Sequence, residues 1–247
     1  MKAMILAAGL GTRLRPLTDS RPKALVEING RTLLEITLAR LNESGINDVI
    51  VNVHHFADMI ADYLKARKNF GMNIAISRED ELLDTGGGLK KAAWFFQEKT
   101  ARHEQPFFLH NVDVLSAIDL RRMMQLHDKE ENLATLAVQA RESSRQLLFD
   151  ENLQLCGREK EQETEIVRST PADPQRFAFT GIHVISPELL RMFQEDGAFS
   201  IIDTYLRLAG QGEKIAAFRA DEYYWRDVGR LDDLQQAAED LKQNKID

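Results

Sequence analysis

Four short apolar runs separated by helical patterns occupy the first 110 residues, and this alternation constrains the fold more than any other feature. Lys2–Ala7, Asp48–His54, Met72–Ser77 and Pro106–His110 each read as a strand. Between them, Thr32–Ser44 carries Leu33, Leu34, Leu38 and Leu41 on one helical face and stops at Gly45. Phe56–Asn69 ends before Gly71, and Gly87–Gln97 is the third helical stretch. Strands alternating with helices of this length build right-handed βαβ units around a parallel sheet. No repeat of 20–50 residues is present, so solenoids are excluded.

After a further strand at Leu133–Ala140 the rhythm changes. Gln146–Phe149 and Leu153–Cys156 flank Asp150-Glu151-Asn152, a turn signal that predicts a small hairpin. The densely charged Gly157–Glu165 reads as a solvated loop. Phe177–Ile185 is strand-like, Pro187–Phe193 a helix with Pro in its first turn, Ser200–Leu208 another helix, Lys214–Arg219 a strand and Gly229–Lys242 a closing amphipathic helix. No Pro/Gly/Ser-rich linker divides the chain, so residues 1–247 are expected to form one α/β domain with a mixed sheet.

Composition narrows the function. Lys plus Arg number 32 against 39 Asp plus Glu, a formal charge of -7. Such a chain is a poor bulk binder of nucleic acid or anionic membrane. No apolar run approaches the ~20 residues that span a bilayer, and Met1–Leu6 is too short for a signal peptide. A single cysteine, Cys156, rules out an internal disulfide and a Cys-based zinc cluster. The expectation is a cytoplasmic protein.

The chemistry concentrates after the first strand, at Ala7-Ala8-Gly9-Leu10-Gly11-Thr12-Arg13-Leu14-Arg15-Pro16-Leu17-Thr18 followed by Pro22-Lys23. Glycines at a strand's C-terminal end let backbone N–H groups approach an anion, and parallel sheets place ligands at that edge. Arg13, Arg15 and Lys23 supply cations that a triphosphate would neutralise. A Walker loop is absent because no G-K-[ST] follows, and a dinucleotide fingerprint fails because Leu14 stands at its third glycine. The loop is a phosphate cradle of another kind.

That segment resembles the signature of the sugar-1-phosphate nucleotidyltransferases. Four more segments are similar to motifs of the same family: Asp84-Thr85-Gly86-Gly87-Gly88, Leu109-His110-Asn111-Val112-Asp113, Phe179-Thr180-Gly181-Ile182 and Trp225-Arg226-Asp227-Val228-Gly229. Together they run in order from near Ala3 to about Leu234, and the set is most similar to the short bacterial uridylyltransferases of the family.

The resemblance implies a three-layer α/β/α Rossmann-like nucleotidyltransferase domain with a mostly parallel mixed sheet. Residues 1–115 would form a nucleotide-binding half and residues 116–247 a sugar-binding half. It implies Mg²⁺-dependent transfer of a nucleotidyl group from an NTP, UTP favoured, to a sugar 1-phosphate with release of pyrophosphate. Arg13, Lys23, Asp113 and Asp227 would be catalytic, with Mg²⁺ on Asp113 and Asp227. Ala7, Ala8, Gly9, Gly11, Thr12, Arg13 and Lys23, with Asp84, Thr85 and Gly86, would hold the nucleotide, and Asn111 and Gly181 would lie on the sugar side. The family includes monomers, dimers and tetramers, so a homo-oligomer is compatible. Alternatives with the same chemistry are a mannose-1-phosphate guanylyltransferase and a phosphoalcohol cytidylyltransferase; a different class is a catalytically silent NDP-sugar-binding module.

The two aspartates also follow from position. Asp113 comes after an apolar strand and so emerges at the sheet edge beside the glycine loop. Asp227 follows the strand-like Tyr223-Tyr224-Trp225. Two strand-end carboxylates completed by phosphate oxygens and water suit Mg²⁺. The chain departs from the family at Val112, where N-G-D has glycine, and at Thr32, where G-x-P has proline. Lys160 lacks the proline of the family's E-K-P and falls in the charged segment, so its sugar-phosphate role is not carried over; Arg168 is one substitute cation. His54 and His55 are adjacent on a strand and face opposite sides, against a shared metal. Cys156, Trp94, Phe95 and Phe96 read as packing residues. Ser143, Ser144 and Ser200 show no partnered His and acid.

Overall fold

The computed structural model describes residues 1–97, 105–161, 163–170 and 173–243. Its strands are β1 (Lys2–Leu6), β2 (Glu27–Ile28), β3 (Arg31–Thr32), β4 (Asp48–Val53), β5 (Asn73–Arg78), β6 (Phe107–Asn111), β7 (Val114–Ser116), β8 (Ala134–Gln139), β9 (Arg145–Phe149), β10 (Leu155–Lys160), β11 (Glu163–Ile166), β12 (Gln175–Ile185), β13 (Ile215–Arg219) and β14 (Trp225–Asp227). Helices are α1 (Leu33–Glu43), α2 (Ala57–Ala66), α3 (Asp84–Ala92), α4 (Leu120–Glu130), α5 (Ile201–Gly210) and α6 (Leu231–Lys242).

The expected mostly parallel mixed sheet is present, with helices on both faces. Strand order is β11-β10-β9-β12-β6-β1-β4-β5, and β8 pairs with β12 and carries β13. β1 is parallel to both β4 and β6, and β4 to β5. Strands alternate their side chains across the sheet. Ala3 and Ile5 therefore join a core with Leu38 of α1, Leu64 of α2 and Ala237 of α6, while Met4 joins the opposite core with Leu89 of α3 and Tyr205 of α5.

Local signals set the helix ends. Thr32 caps α1, its Oγ1 accepting the Glu35 N–H at 3.0 Å in a T-x-x-E pattern. Asp119 caps α4 in the same way at Arg122. α3 begins at Asp84, three residues before the expected start, so the glycine run lies inside a helix. Glycine is a poor helix former, and here packing demands it. A Cβ on Gly86 would overlap the Phe199 ring, and one on Gly87 the Gly197 carbonyl oxygen.

The charged 157–165 segment is not a solvated loop. Gly157 to Lys160 complete β10, and Glu163–Ile166 form β11 against it; Gln162 lies outside the described residues. Pro187–Arg191 is a 3-10 turn rather than an α-helix. Trp94 is 59% exposed and not core, whereas Phe96 stacks on Phe107 at 3.7 Å and Cys156 is buried.

Three histidines sit in the interior as neutral groups. Burial lowers His110 and His127 to about 4, and burial, then repulsion from His110 once that ring is protonated, lowers His183 to about 3. His127 is held between the Thr135 and Ser186 hydroxyls, each 3.0 Å away. Folded-state values below the ordinary 6.5 mean that the unfolded chain takes protons first. These groups therefore erode stability as pH falls from about 6.5 towards 4, by up to about 1.4 kcal/mol per pH unit for each imidazole. In urea unfolding between pH 7 and 4.5, His127→Gln should flatten the fall of stability by about one proton's worth. An unchanged slope would contradict a neutral buried His127.

Candidate active site

Two neighbouring clefts open at the C-terminal edge of the parallel strands. The first, about 210 Å³, is lined by Leu6, Ala7, Gly9, Gly11, Thr12, Arg13, Lys23, Val112, Asp113 and Gly229. The second, about 440 Å³, lies among Ser143, Arg145, Gln146, Leu147, Arg158, Glu159, Lys160, Phe179, Ser200, Ile202, Asp203 and Asp227.

The glycine loop is shaped by its own bonds. Gly11 has φ +64°, a left-handed conformation natural to glycine, and a Cβ there would come within 2.9 Å of Thr18 Cγ2. Thr18 Oγ1 donates to the Gly11 carbonyl at 2.8 Å. Upstream, Ala7 N–H donates to Asn52 Oδ1 at 2.7 Å, Asn52 Nδ2 donates to Glu79 Oε1 at 2.6 Å, and Glu79 Oε2 accepts the Leu83 N–H at 3.0 Å. This buried chain fixes the loop against the start of α3. Neither Asn52 nor Glu79 stands out in the sequence, because each reads as an ordinary polar residue at a strand end.

The carboxylates are brought together by a short ladder. β7 follows Asp113 directly and pairs antiparallel with β14, setting Asp227 opposite Val114. The Val228 N–H donates to the Asp113 carbonyl at 2.9 Å. Lys23, only 8% exposed, forms an ion pair with Asp113 Oδ2. Burial, then the Asp113 charge, raises the Asp227 carboxyl above its ordinary range, while Lys23 and Arg13 pull it back. Asp227 Oδ1 is buried without a hydrogen-bond partner. Gly229 leaves the gap between two charges, since a Cβ there would lie 2.7 Å from Arg13 Nη2 and 2.8 Å from Asp227 Oδ1.

Asn111 and Gly181 lie against each other. β12 shifts register against β8 between Phe179 and His183. Gly181, at φ +83°, occupies that irregularity, with Asn111 Nδ2 2.7 Å from where its Cβ would be. Trp225 Nε1 donates to the Thr180 carbonyl at 2.7 Å, tying β14 to the same spot.

Other expected residues lie elsewhere. Asp84, Thr85 and Gly86 do not line the first cleft: Thr85 Oγ1 accepts the Ile201 N–H at 3.0 Å and the Gly86 N–H reaches Phe199 O at 2.9 Å, so they join α3 to α5. Ala8 is buried and is not a lining residue. Arg15 turns to Asp19 on the surface. Arg168 is no substitute cation for the sugar phosphate, because its guanidinium donates to Ala209 O and Glu213 O at the end of α5. Lys160, set aside in the sequence, lines the second cleft beside Arg145, its directly opposed partner on β9. Arg158 in that cleft is already paired with Asp203 and Glu165, and Glu159 with Arg176. Arg141 carries no motif signal in the sequence yet reaches the same region. Its guanidinium stacks 4.0 Å from the Trp225 ring centroid and donates to Phe179 O at 3.1 Å.

The donor set suits a hard divalent ion. Among the described residues no group of three or more His, Cys, Asp or Glu could hold a metal. Mg²⁺ characteristically uses one or two carboxylates and takes its remaining oxygens from phosphate and water, and a buried, unpartnered carboxylate oxygen on Asp227, which feels the charge of a second carboxylate, fits that habit.

The nucleotidyl transferase family model matches residues 2–244. The N-acetylmuramate alpha-1-phosphate uridylyltransferase of Caulobacter vibrioides is 33% identical, with 92% of this chain and 91% of that protein covered. Mannose-1-phosphate guanyltransferase 2 of Candida glabrata is 29% identical over 95% of this chain, which spans 63% of that longer protein. The fold is shared with a UDP-glucose pyrophosphorylase crystallised with UDP-glucose, at TM-score 0.78 and 18% identity over 98% of each chain. Glycine loop, paired aspartates and sheet order thus occur in a chain matched by one family model along nearly its whole length: it belongs to the nucleotidyl transferase family.

Proposed function

We propose that the protein transfers a nucleotidyl group from an NTP, with UTP preferred, to a sugar 1-phosphate and releases pyrophosphate. The observation that carries this reading is the proximity of Asp113, immediately before β7, to Asp227 of β14, between a cleft lined by the glycine loop and a second cleft bearing Arg145 and Lys160. The first cleft draws its lining from residues 6–113 plus Gly229, the second from residues 143–227. This division supports a nucleotide-binding half followed by a sugar-binding half.

A phosphate monoester is largely dianionic at neutral pH, its second pKa being about 6. Its oxygen can attack the α-phosphorus without a general base. The task left to the protein is to align two anions that repel and to stabilise charge growing on the leaving pyrophosphate. Arg13, with its planar fork, holds the triphosphate; Lys23 neutralises phosphate near the reacting centre; the Gly9–Gly11 backbone lies along the nucleotide. Lys160 and Arg145 receive the sugar phosphate, and Asn111 and Gly181 border the sugar. Asp113 and Asp227 would hold Mg²⁺, which when bound supplies Lewis-acid stabilisation to phosphate oxygens. Similarity to the Caulobacter uridylyltransferase supports UTP as donor.

Pyrophosphate release, assayed with Mg²⁺, each common NTP and a panel of sugar 1-phosphates, tests this directly. UTP should exceed GTP in kcat/KM by about tenfold or more, since one unpaired buried polar group costs about 1–3 kcal/mol and 1.4 kcal/mol is a decade. Equal or better use of GTP would favour the guanylyltransferase alternative. Asp113→Asn and Asp227→Asn should each lower kcat by roughly two orders of magnitude with the fold intact. Activity within a few-fold of wild type at saturating Mg²⁺ in either variant would refute the assigned carboxylate pair.

A further inference from the structure

We infer that Asp240 of α6 is a positioning residue for the carboxylate pair, acting through Arg226. This rests on the metal-holding role proposed above for Asp113 and Asp227. The β7–β14 ladder that brings the pair together has only three residue pairs, and an isolated two-stranded ladder is at best marginally stable. Alternate residues of a strand face opposite ways. Asp227 and Trp225 share one face of β14, and Arg226 projects from the other, towards α6.

There it meets a buried acid. Asp240 is 1% exposed. Its Oδ2 accepts from Arg226 Nε at 3.0 Å, Arg226 Nη2 at 2.8 Å and the Tyr224 hydroxyl at 2.7 Å. Gln236 Nε2 donates to Oδ1 at 3.3 Å. A charge so buried is costly unless it is well paired, and a two-nitrogen contact from one guanidinium fixes direction as well as distance. α6 is itself anchored by the buried Ala237 and by Asn29 Nδ2 donating to Ala238 O at 2.8 Å. The acid on the helix therefore grips the back of the strand whose front carries Asp227. A one-residue slip in so short a ladder would turn Asp227 away from Asp113, and the Asp240–Arg226 pair opposes it.

The test compares Asp240→Asn with Leu64→Ala, a core truncation in α2 remote from the ladder, in the full chain. Mn²⁺ affinity is read by electron paramagnetic resonance with Mn²⁺ alone, and thermal unfolding and steady-state kinetics are read beside it. Asp240→Asn should weaken Mn²⁺ binding about tenfold and lower kcat by a similar factor, while KM for the NTP stays within threefold. Leu64→Ala, at a comparable loss of Tm, should change neither Mn²⁺ affinity nor kcat by more than twofold. If Asp240→Asn does not fold, Arg226→Lys, which keeps the charge and loses the fork, replaces it with the same expectation. A folded variant whose Mn²⁺ affinity stays within twofold of wild type overturns the inference, as do equal losses in Leu64→Ala. The Mn²⁺ arm decides this separately from catalysis: a wild type that binds Mn²⁺ but releases no pyrophosphate with any substrate pair defeats the proposed reaction and leaves the positioning claim to the affinity comparison.

Discussion

Two carboxylates held side by side repel, and the arrangement around Asp113 and Asp227 is best understood as the means of holding them there. Three ladder pairs between β7 and β14 impose the proximity. Lys23 offsets it by pairing with Asp113, and Arg13 stands across Gly229 from Asp227. The residual cost appears in Asp227, whose carboxyl is raised by burial and by its neighbour. A site in that condition has electrostatic free energy to gain from a divalent cation and from anions that arrive with it. The cations that stabilise the carboxylate pair, Lys23 and Arg13, are also those a triphosphate would meet.

The parallel sheet supplies the place. β1 and β6 run side by side with Leu6 opposite Asn111, so the glycine loop and Asp113 leave the sheet at the same edge. The Asn52–Glu79 chain then fixes the loop from behind through the Ala7 N–H. On the far side, the register shift at Gly181 opens β12 where Asn111 and Trp225 approach. Asp227 faces the second cleft and lies close to the first, so a donor phosphate in one and an acceptor phosphate in the other would meet at the carboxylate pair.

Much of this was legible in the sequence. The four apolar runs of the first half fall on β1, β4, β5 and β6, and four of the five motifs contribute residues to the two clefts, while residues 84–88 lie in α3. The failures share a physical cause. Hydrophobic patterning recognises a strand by its buried apolar face, but β10 presents Arg158 and Lys160 to a charged cleft and pairs its edge with the exposed β11, so its hydropathy is that of a solvated loop. Helix propensity places glycines outside helices, but close approach of Phe199 to Gly86, of Gly197 to Gly87 and of the Glu79 and Asn52 side chains to Gly88 demands three of them inside α3. Arg168 and Lys160 were equally plausible cations by type alone, and only the path of the chain separates them, one at the end of α5 and the other in the cleft. Asn52, Glu79 and Asp240 act through buried bonds to distant segments, for which a single sequence carries no local signal.

The central claim is that the protein aligns and neutralises two phosphates and contributes no nucleophile of its own. The most direct measurement is the stereochemical course at the α-phosphorus, read by ³¹P NMR with a single diastereomer of UTPαS and a sugar 1-phosphate that is turned over. Direct in-line attack by the sugar phosphate predicts inversion of configuration. Retention would reveal two successive displacements through a nucleotidyl-enzyme intermediate and would contradict the account.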